Sequence, residues 1–278
     1  MNSKAKSKTS FSRSRRAIRL AFIGVTLPLF LAACSTGSGS SGTISLIPAE
    51  IAERTQRDGL FTQPLAWERS KPGCKGDCPT LKVDSLIFPG VPILTELVDH
   101  ALVTLTQIDQ RSAPRYSTLA EYEKHFWQTA GPRDSAVLAA RVRYGSKYIT
   151  SIELDAWQYF TGAAHGIPAT QFIVWDNASR KVLGMKDLLV PGGYDRYIET
   201  LRRAHADWKN THPDARDNPQ NFDRIWPFQP TDNVALTDQG LLVKYDAYEI
   251  APYSSGQPEL LIPYTQLSGI LKPQYLPE

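Results

Sequence analysis

A histidine between glycines is the first residue whose type and position suggest chemistry. His165 lies in the segment YFTGAAHGIP, residues 159–168, where an aromatic-rich run gives way to small residues. An imidazole can act as a general acid or base near neutral pH. Gly162 and Gly166 let the backbone on either side of it turn tightly. We favour a structural role, in which His165 braces this bend by hydrogen bonding, over a catalytic one.

Four carboxylates in strand-like runs are candidates for glycoside hydrolysis. They are Asp84, Glu153, Asp155 and Asp246. The reaction needs two carboxyl groups that face one groove at a suitable separation, and spacing along the chain does not exclude it. Acidic residues on the solvated face of a half-exposed sheet give the same pattern, and we favour that interpretation. A peptidoglycan-modifying or hydrolysing enzyme with paired carboxylates stays open as the alternative function.

Motifs of several common catalytic sites are absent from the sequence. There is no G-x-x-x-x-G-K-[ST] loop, no H-E-x-x-H and no G-x-S-x-G. The five histidines show no recurrent metal-binding spacing: His100, His125, His165, His205 and His212. We therefore predict no catalytic residue, no cofactor and no metal site.

The first cysteine follows a secretion signal. Seven basic residues and no acid occupy the first nineteen positions, and an apolar run of fourteen residues, 20–33, follows. The run is shorter than the roughly 20 residues that a membrane-spanning helix needs. It ends in LAAC, which resembles the lipobox of bacterial lipoproteins. Residues 1–33 are therefore predicted to be a lipoprotein signal peptide and Cys34 the lipid-attachment residue, carrying palmitate.

The residues after Cys34 predict where the protein resides. Ser35 stands where aspartate would favour retention in the inner membrane, so we expect an outer-membrane lipid anchor that faces the periplasm. The stretch STGSGSSG, residues 35–42, is too polar and glycine-rich to pack. Residues 34–59 are therefore predicted to form a lipidated, flexible tether.

Net charge argues against nucleic-acid binding. Loss of residues 1–33 takes away seven of the 31 basic residues and none of the 28 acidic ones, which leaves a net charge near −4. A nucleic-acid partner needs a clustered cationic surface. A basic protein is a better partner, because opposite net charges raise the rate of encounter.

The two remaining cysteines are close together in GCKGDCP. An exported protein folds in an oxidising compartment, where Cys74 and Cys78 can form a disulfide across a short loop. Zinc binding is the alternative, but a single C-x-x-x-C without a second ligand pair is a weak zinc motif. We predict the disulfide.

Hydrophobic periodicity predicts an α+β fold with antiparallel sheets and packed helices. In the first half we expect a strand at 80–90, a helix at 94–105, a helix begun by Thr118 with Glu121 in a capping box, and a hairpin at 137–157. In the second half we expect, in chain order, a strand–turn–strand unit at 170–190, a helix at 194–209, a partly ordered polar crossing at 212–230, a hairpin at 233–250 and a short helix at 265–271.

Two segments of the second half resemble the C-terminal domain of RsiV-type proteins. The first is YFTGAAHGIPATQFIVWDNASRKVLGMKDLL, residues 159–189, and the second is LTDQGLLVKYDAYEIAPYSSGQPELLIPYTQL, residues 236–267. The shared pattern is T-G-G-A-H-G, then D-L, then Y-E-[IL]-x-P-Y-x-x-G and I-P-Y. Ala163 replaces the second glycine. Residues 80–148 are similar to the companion domain of such proteins, so we predict two adjoining α/β subdomains, 60–156 and 157–278.

The resemblance implies an extracytoplasmic module without recognised catalytic residues, which binds lysozyme in the anti-sigma factor RsiV. It implies that the 161–166 bend and the 252–256 loop face a partner. The candidate ligand-binding residues are Thr161, His165, Pro252, Tyr253 and Gly256. Tyr253 is the first candidate for a binding hot spot, because tyrosine is enriched at such positions. The alternative is that its ring braces its own loop.

These observations support three functional hypotheses. We favour a non-enzymatic envelope lipoprotein that binds a lysozyme-like muramidase or peptidoglycan through loops of its C-terminal domain. The alternatives are the carboxylate-dependent enzyme described above and a scaffold in an envelope complex, for which Trp208, Trp226 and Phe228 would supply contacts.

Overall fold

The computed structural model describes residues 59–107 and 116–277. The predicted signal peptide and Cys34 lie outside these residues. Within them, no helix combines the length and apolar character that crossing a bilayer requires. The predicted α+β class is confirmed, since strands and helices form two sheets with helices packed on them.

A six-stranded sheet is the larger layer, with the strands in sequence order. Its members are β1 (Gln63–Ser70), β2 (Thr80–Ile87), β3 (Ser135–Gly145), β4 (Ile149–Tyr159), β5 (Ile167–Asp176) and β6 (Lys181–Val182). Strand β1 was not predicted. All neighbours are antiparallel except β2 and β3, which are parallel. The parallel pair is possible because two helices lie between these strands and provide the crossover that parallel neighbours require.

Those two helices, α1 (Pro92–Thr104) and α2 (Leu119–Thr129), pack on this sheet. Their core includes Leu81, Leu94 and Leu138, all fully buried. The Thr118 hydroxyl caps α2 by accepting from the Glu121 backbone N–H at 3.2 Å, as predicted. The Glu121 carboxylate differs from a standard capping box, because it accepts from the Ser117 backbone N–H at 2.7 Å.

The smaller sheet is antiparallel and has the order β7 (Val234–Leu236), β8 (Gly240–Lys244) and β9 (Glu259–Pro263). Helix α4 (Tyr194–Thr211) contributes Tyr197 and Leu201 to the core that it shares with this sheet. His205 on the same helix is buried at 5% exposure, as its place in the apolar stripe predicted.

Three predicted segments differ from the structure. The polar crossing at 212–230 contains two short helices, α5 (Pro213–Asp217) and α6 (Pro219–Ile225). Both begin with proline, whose fixed φ and missing N–H suit the first helical position. The return strand predicted within 170–190 is limited to the two residues of β6 and is followed by the short α3 (Met185–Leu188), which precedes α4. The predicted terminal helix is a 3₁₀ turn at Tyr264–Gln266. The predicted disulfide between Cys74 and Cys78 is present in the β1–β2 loop.

Side chains join the two sheets along the edge of β5 that β6 leaves uncovered. The backbone N–H of Thr170 donates to the Asp246 carboxylate at 2.8 Å, and the N–H of Phe172 donates to the Asn233 side chain at 2.7 Å. Such bonds satisfy backbone N–H groups at the edge of β5 that have no strand partner.

The predicted subdomain boundary at 156/157 falls within β4, and the division into subdomains stays a prediction.

Candidate functional site

Two loops predicted to face a partner lie next to each other in the structure. The 161–166 bend connects β4 to β5, and the 252–256 loop lies between β8 and β9. The rings of His165 and Tyr253 stack with centroids 3.9 Å apart and an interplanar angle of 23°. The His165 Nε2 atom lies 3.0 Å from the Tyr248 hydroxyl, and its Nδ1 lies 2.9 Å from the Gly166 carbonyl oxygen. His165 therefore braces one loop against the other.

Trp226 extends this group of rings. Its indole stacks on Tyr248 with centroids 6.1 Å apart, and Tyr248 lies 5.6 Å from Tyr253. Trp226 follows the last residue of α6. We call His165, Trp226, Tyr248 and Tyr253 the aromatic surface. These four residues come from three separate chain segments, so the fold is needed to assemble them.

Tyr248 holds an unusual position in the aromatic surface. Its φ is +72°, in the left-handed region, and its side chain is 51% exposed. A non-glycine residue held there costs about 1–3 kcal/mol, and such residues cluster at functional sites. Ile225, which precedes Trp226 in the chain, is a further large apolar residue in solvent, 45% exposed. His165 and Tyr248 are exposed and Trp226 and Tyr253 are half-buried, so the surface is aromatic, partly accessible and locally strained.

Glycine is required in the bend for two reasons, the close packing of a neighbouring ring and the backbone conformation of the turn. A Cβ atom on Gly166 would lie 2.2 Å from the Trp157 indole, so only glycine fits beneath that ring. Gly162 has φ +91° and Gly256 has φ +66°, which other residues rarely adopt. Gly256 ends the 3₁₀ turn Tyr253–Ser255, which follows Pro252 and holds the Tyr253 ring in place.

Thr161 supports the bend rather than adding to the aromatic surface. Its backbone N–H donates to the Asp134 carboxylate at 2.7 Å. Its hydroxyl has one hydrogen to donate and lies within hydrogen-bonding distance of two acceptors, the Asp134 carboxylate at 2.8 Å and the Pro132 carbonyl oxygen. Burial raises the pKa of Asp134, but the hydrogen bonds from Thr161 and Gly131 outweigh it and lower the pKa below its usual value. This carboxylate therefore anchors the bend in its ionised form.

Two of the four carboxylates considered for hydrolysis, Glu153 and Asp155, are held by cations. Glu153 is fully buried and bonds Arg141, Arg143 and Lys244. Asp155 shares Arg141 and Lys244 at 3.2 and 3.0 Å. Burial raises the pKa of Glu153, yet the Lys244 and arginine partners lower it overall. We call these five residues with Glu259, which pairs with Arg143, the ionic cluster.

The other two carboxylates do not complete a pair. Asp246 accepts from the Gln257 side chain at 2.9 Å in addition to Thr170, and burial raises its pKa. Asp84 lies on the exposed side of β2. Among the described residues, no group of three or more His, Cys, Asp and Glu side chains is arranged to hold a metal ion.

Fold and geometry define the class as a two-sheet α+β protein with an exposed aromatic surface. The structure resembles the crystal structure of a DUF3298 family protein from Pseudomonas aeruginosa PAO1, with a TM-score of 0.73 and 41% identity over 80% of this chain and 99% of that one. The family model described as "Protein of unknown function (DUF3298)" matches residues 186–265. The chain belongs to the DUF3298 family.

A more distant structure has the same fold. A DUF3298 family member from Bacteroides fragilis NCTC 9343 has a TM-score of 0.55 at 18% identity, covering 78% of this chain and 95% of that one. No protein of curated function shows significant similarity to the chain. The family-model match includes Trp226, Tyr248 and Tyr253. It begins at residue 186 and therefore does not include His165.

Two of the four residues, His165 and Tyr253, are ligand-binding candidates from the sequence, and Trp226 is a contact residue only under the scaffold hypothesis. Tyr248 is not a candidate from the sequence, although it stands in the YEI motif of the RsiV resemblance, five residues before Tyr253, and this motif was the available signal. No motif places Trp226 beside the two loops, because its position depends on two helices that were not predicted. Cys34 lies outside the described residues.

Proposed function

We propose that this chain is a non-enzymatic lipoprotein of the outer membrane whose aromatic surface binds a basic muramidase of the lysozyme type. The observation that carries the proposal is the exposed aromatic surface, with Tyr248 held at φ +72° and 51% exposed. Exposed apolar patches on soluble domains mark interaction sites. Tyrosine and tryptophan are enriched among the residues that dominate binding energy.

The RsiV-type resemblance supports a protein partner. The bend and the 252–256 loop carry the matching motifs, and both contribute a ring to the aromatic surface. The predicted net charge near −4 after loss of residues 1–33 suits a basic partner. A glycan-cleaving role has less support, because Glu153 and Asp155 are both engaged by Lys244 and Arg141.

Binding is tested by calorimetric titration of the full chain, purified in detergent, with a c-type lysozyme. We expect a 1:1 complex that Tyr253→Ala weakens at least about tenfold, since a hot-spot truncation costs about 2 kcal/mol or more. Tyr148→Ala is the matched control, because Tyr148 is also exposed, at 54%, and lies outside the aromatic surface. We expect it to bind like the wild type.

Peptidoglycan fragments form the second arm of this titration. Heat from the fragments with none from lysozyme would contradict a muramidase partner and favour glycan binding. Release of reducing sugar from the fragments would instead support the enzymatic alternative. Thermal melting of each variant shows whether an altered affinity reflects the surface or the fold.

The membrane anchor has a separate test at Cys34. We expect labelled palmitate to be incorporated into the wild-type chain and the protein to fractionate with the outer membrane. Cys34→Ala should abolish both, because the thiol is the acceptor in the LAAC motif. Cys74→Ala is a control that removes a different cysteine, one that is oxidised in a disulfide, and it should leave labelling intact. Labelling of the Cys34 variant would contradict the anchor.

A further inference from the structure

A cavity of about 700 Å³ lies apart from the aromatic surface and shares no residue with it. Its wall is formed by the segment from α3 to the start of α4, together with Asp232 and Lys272. This volume lies within the range of small-molecule sites. Met185, Leu189 and Val190 supply apolar lining, and the ring of Tyr194, 43% exposed, adds to it.

Four charged side chains line this cavity, two of each sign: Lys186, Asp187, Asp232 and Lys272. None of them forms an ion pair with a residue in the described part of the chain. Elsewhere in the protein, neighbouring opposite charges do pair, as in Arg69 with Glu123 at 2.8 Å. Around the cavity these side chains instead form hydrogen bonds with neutral groups, and Lys186, Asp187 and Asp232 are exposed to solvent, so their charges are accessible to a ligand.

The positions of three of these groups are set by such bonds. The Lys272 ammonium donates to the Asp187 carbonyl oxygen at 2.7 Å and to the Lys186 carbonyl oxygen at 3.4 Å, which leaves one N–H for a ligand. The Asp232 carboxylate accepts from the Tyr194 hydroxyl at 3.1 Å through one oxygen, which leaves the other oxygen free. The Asp187 carboxylate accepts from the Gly184 N–H at 2.9 Å.

We propose that this cavity binds a small zwitterion, an amino acid or short peptide, with its carboxylate toward Lys186 and Lys272 and its ammonium toward Asp232. A zwitterion can pair with wall charges of both signs, whereas a ligand of one sign can pair with only two of the four. The apolar lining accommodates an aliphatic side chain between the two charged ends. The site is independent of the muramidase proposal, because the two sets of residues do not overlap.

The test is a calorimetric titration of the full chain in detergent with L-alanyl-L-leucine, its N-acetylated form and its C-terminal amide. We expect 1:1 binding of the free dipeptide and at least tenfold weaker binding of each capped form, because each cap removes one charged hydrogen-bonding group. Absence of binding by the free dipeptide, or equal binding of all three, would overturn the proposal.

Two variants assign the binding to the cavity. Lys186→Gln and Asp232→Asn should each weaken the dipeptide about tenfold, and the asparagine still accepts from Tyr194. Lys181→Gln is the matched control, an exposed lysine of β6 outside the cavity. Unchanged affinity in both cavity variants would refute the site. Tyr253→Ala should leave dipeptide binding intact, which separates this result from the lysozyme titration.

Discussion

At the scale of single residues, His165 links two loops. It contacts Tyr253 by stacking and Tyr248 by a hydrogen bond, so one side chain fixes both rings. The bracing role expected from the sequence is therefore present, and its partner is the 246–257 segment. The sequence could not identify that partner, because Tyr248 is 83 residues away along the chain.

Gly166 offers a residue-scale test of how the bend is packed. Gly166→Ala would place a Cβ atom 2.2 Å from the Trp157 indole, so the ring or the backbone must shift. We expect the free energy of unfolding to fall by about 1–3 kcal/mol, the usual cost of overpacking. Denaturant unfolding measures this change.

The matched control is Gly184→Ala. A Cβ atom at Gly184 would meet only an Asp187 oxygen at 3.8 Å, and the φ of this residue is −91°. We expect a stability change within about 0.5 kcal/mol. If the Gly166 and Gly184 variants were equally stable, the close approach of Trp157 to the bend would be contradicted.

At the scale of elements, the ionic cluster connects the two sheets. Arg141 and Arg143 lie on β3, Glu153 and Asp155 on β4, Lys244 on β8 and Glu259 on β9. The sequence pattern places the two acids in a strand but does not identify Lys244 as their partner, because Lys244 is 91 residues from Glu153. The pattern therefore predicts acidic residues in a strand but not the ion pairs that they form between the sheets.

Removal of the central carboxylate should destabilise this connection. Glu153→Gln leaves Lys244, which is 5% exposed, without its nearest counter-charge. Leaving a buried charge without any partner costs about 3–5 kcal/mol, and we expect a smaller loss here because Asp155 stays 3.0 Å from Lys244. Denaturant unfolding at neutral pH measures the change, with Asp84→Asn as control because Asp84 is an exposed carboxylate on β2. A change as small as that of the control would contradict the role of the cluster.

The wild type and Glu153→Gln also test how the stability depends on pH. The cationic partners lower the pKa of Glu153 below its usual 4.5, so its stabilising effect is complete above that pH and is lost as the pH falls through the lowered pKa. Asp246 and Glu249 act in the opposite sense, because burial raises their pKa values. The difference in stability between wild type and Glu153→Gln isolates Glu153, and we expect it to shrink below pH 4.5. A difference independent of pH would contradict this assignment.

At the scale of the whole molecule, local sequence patterns predict most of the helices and strands but not how these elements pack against one another. Both hairpins, the long helices and the disulfide follow from periodicity, caps and cysteine spacing, which are local signals. The parallel pairing of β2 and β3 and the contact of β5 with the smaller sheet depend on long-range packing. The aromatic surface belongs to this second kind, since its two loops lie on different sheets.

The central claim is that the aromatic surface is where the partner binds, and amide hydrogen exchange tests it most directly. The full chain in detergent would be measured with and without a c-type lysozyme. We predict that lysozyme slows exchange at residues 161–166 and 246–257 while leaving the cavity segment 184–194 unchanged. Protection confined to other segments, or no protection at saturating lysozyme, would contradict the account.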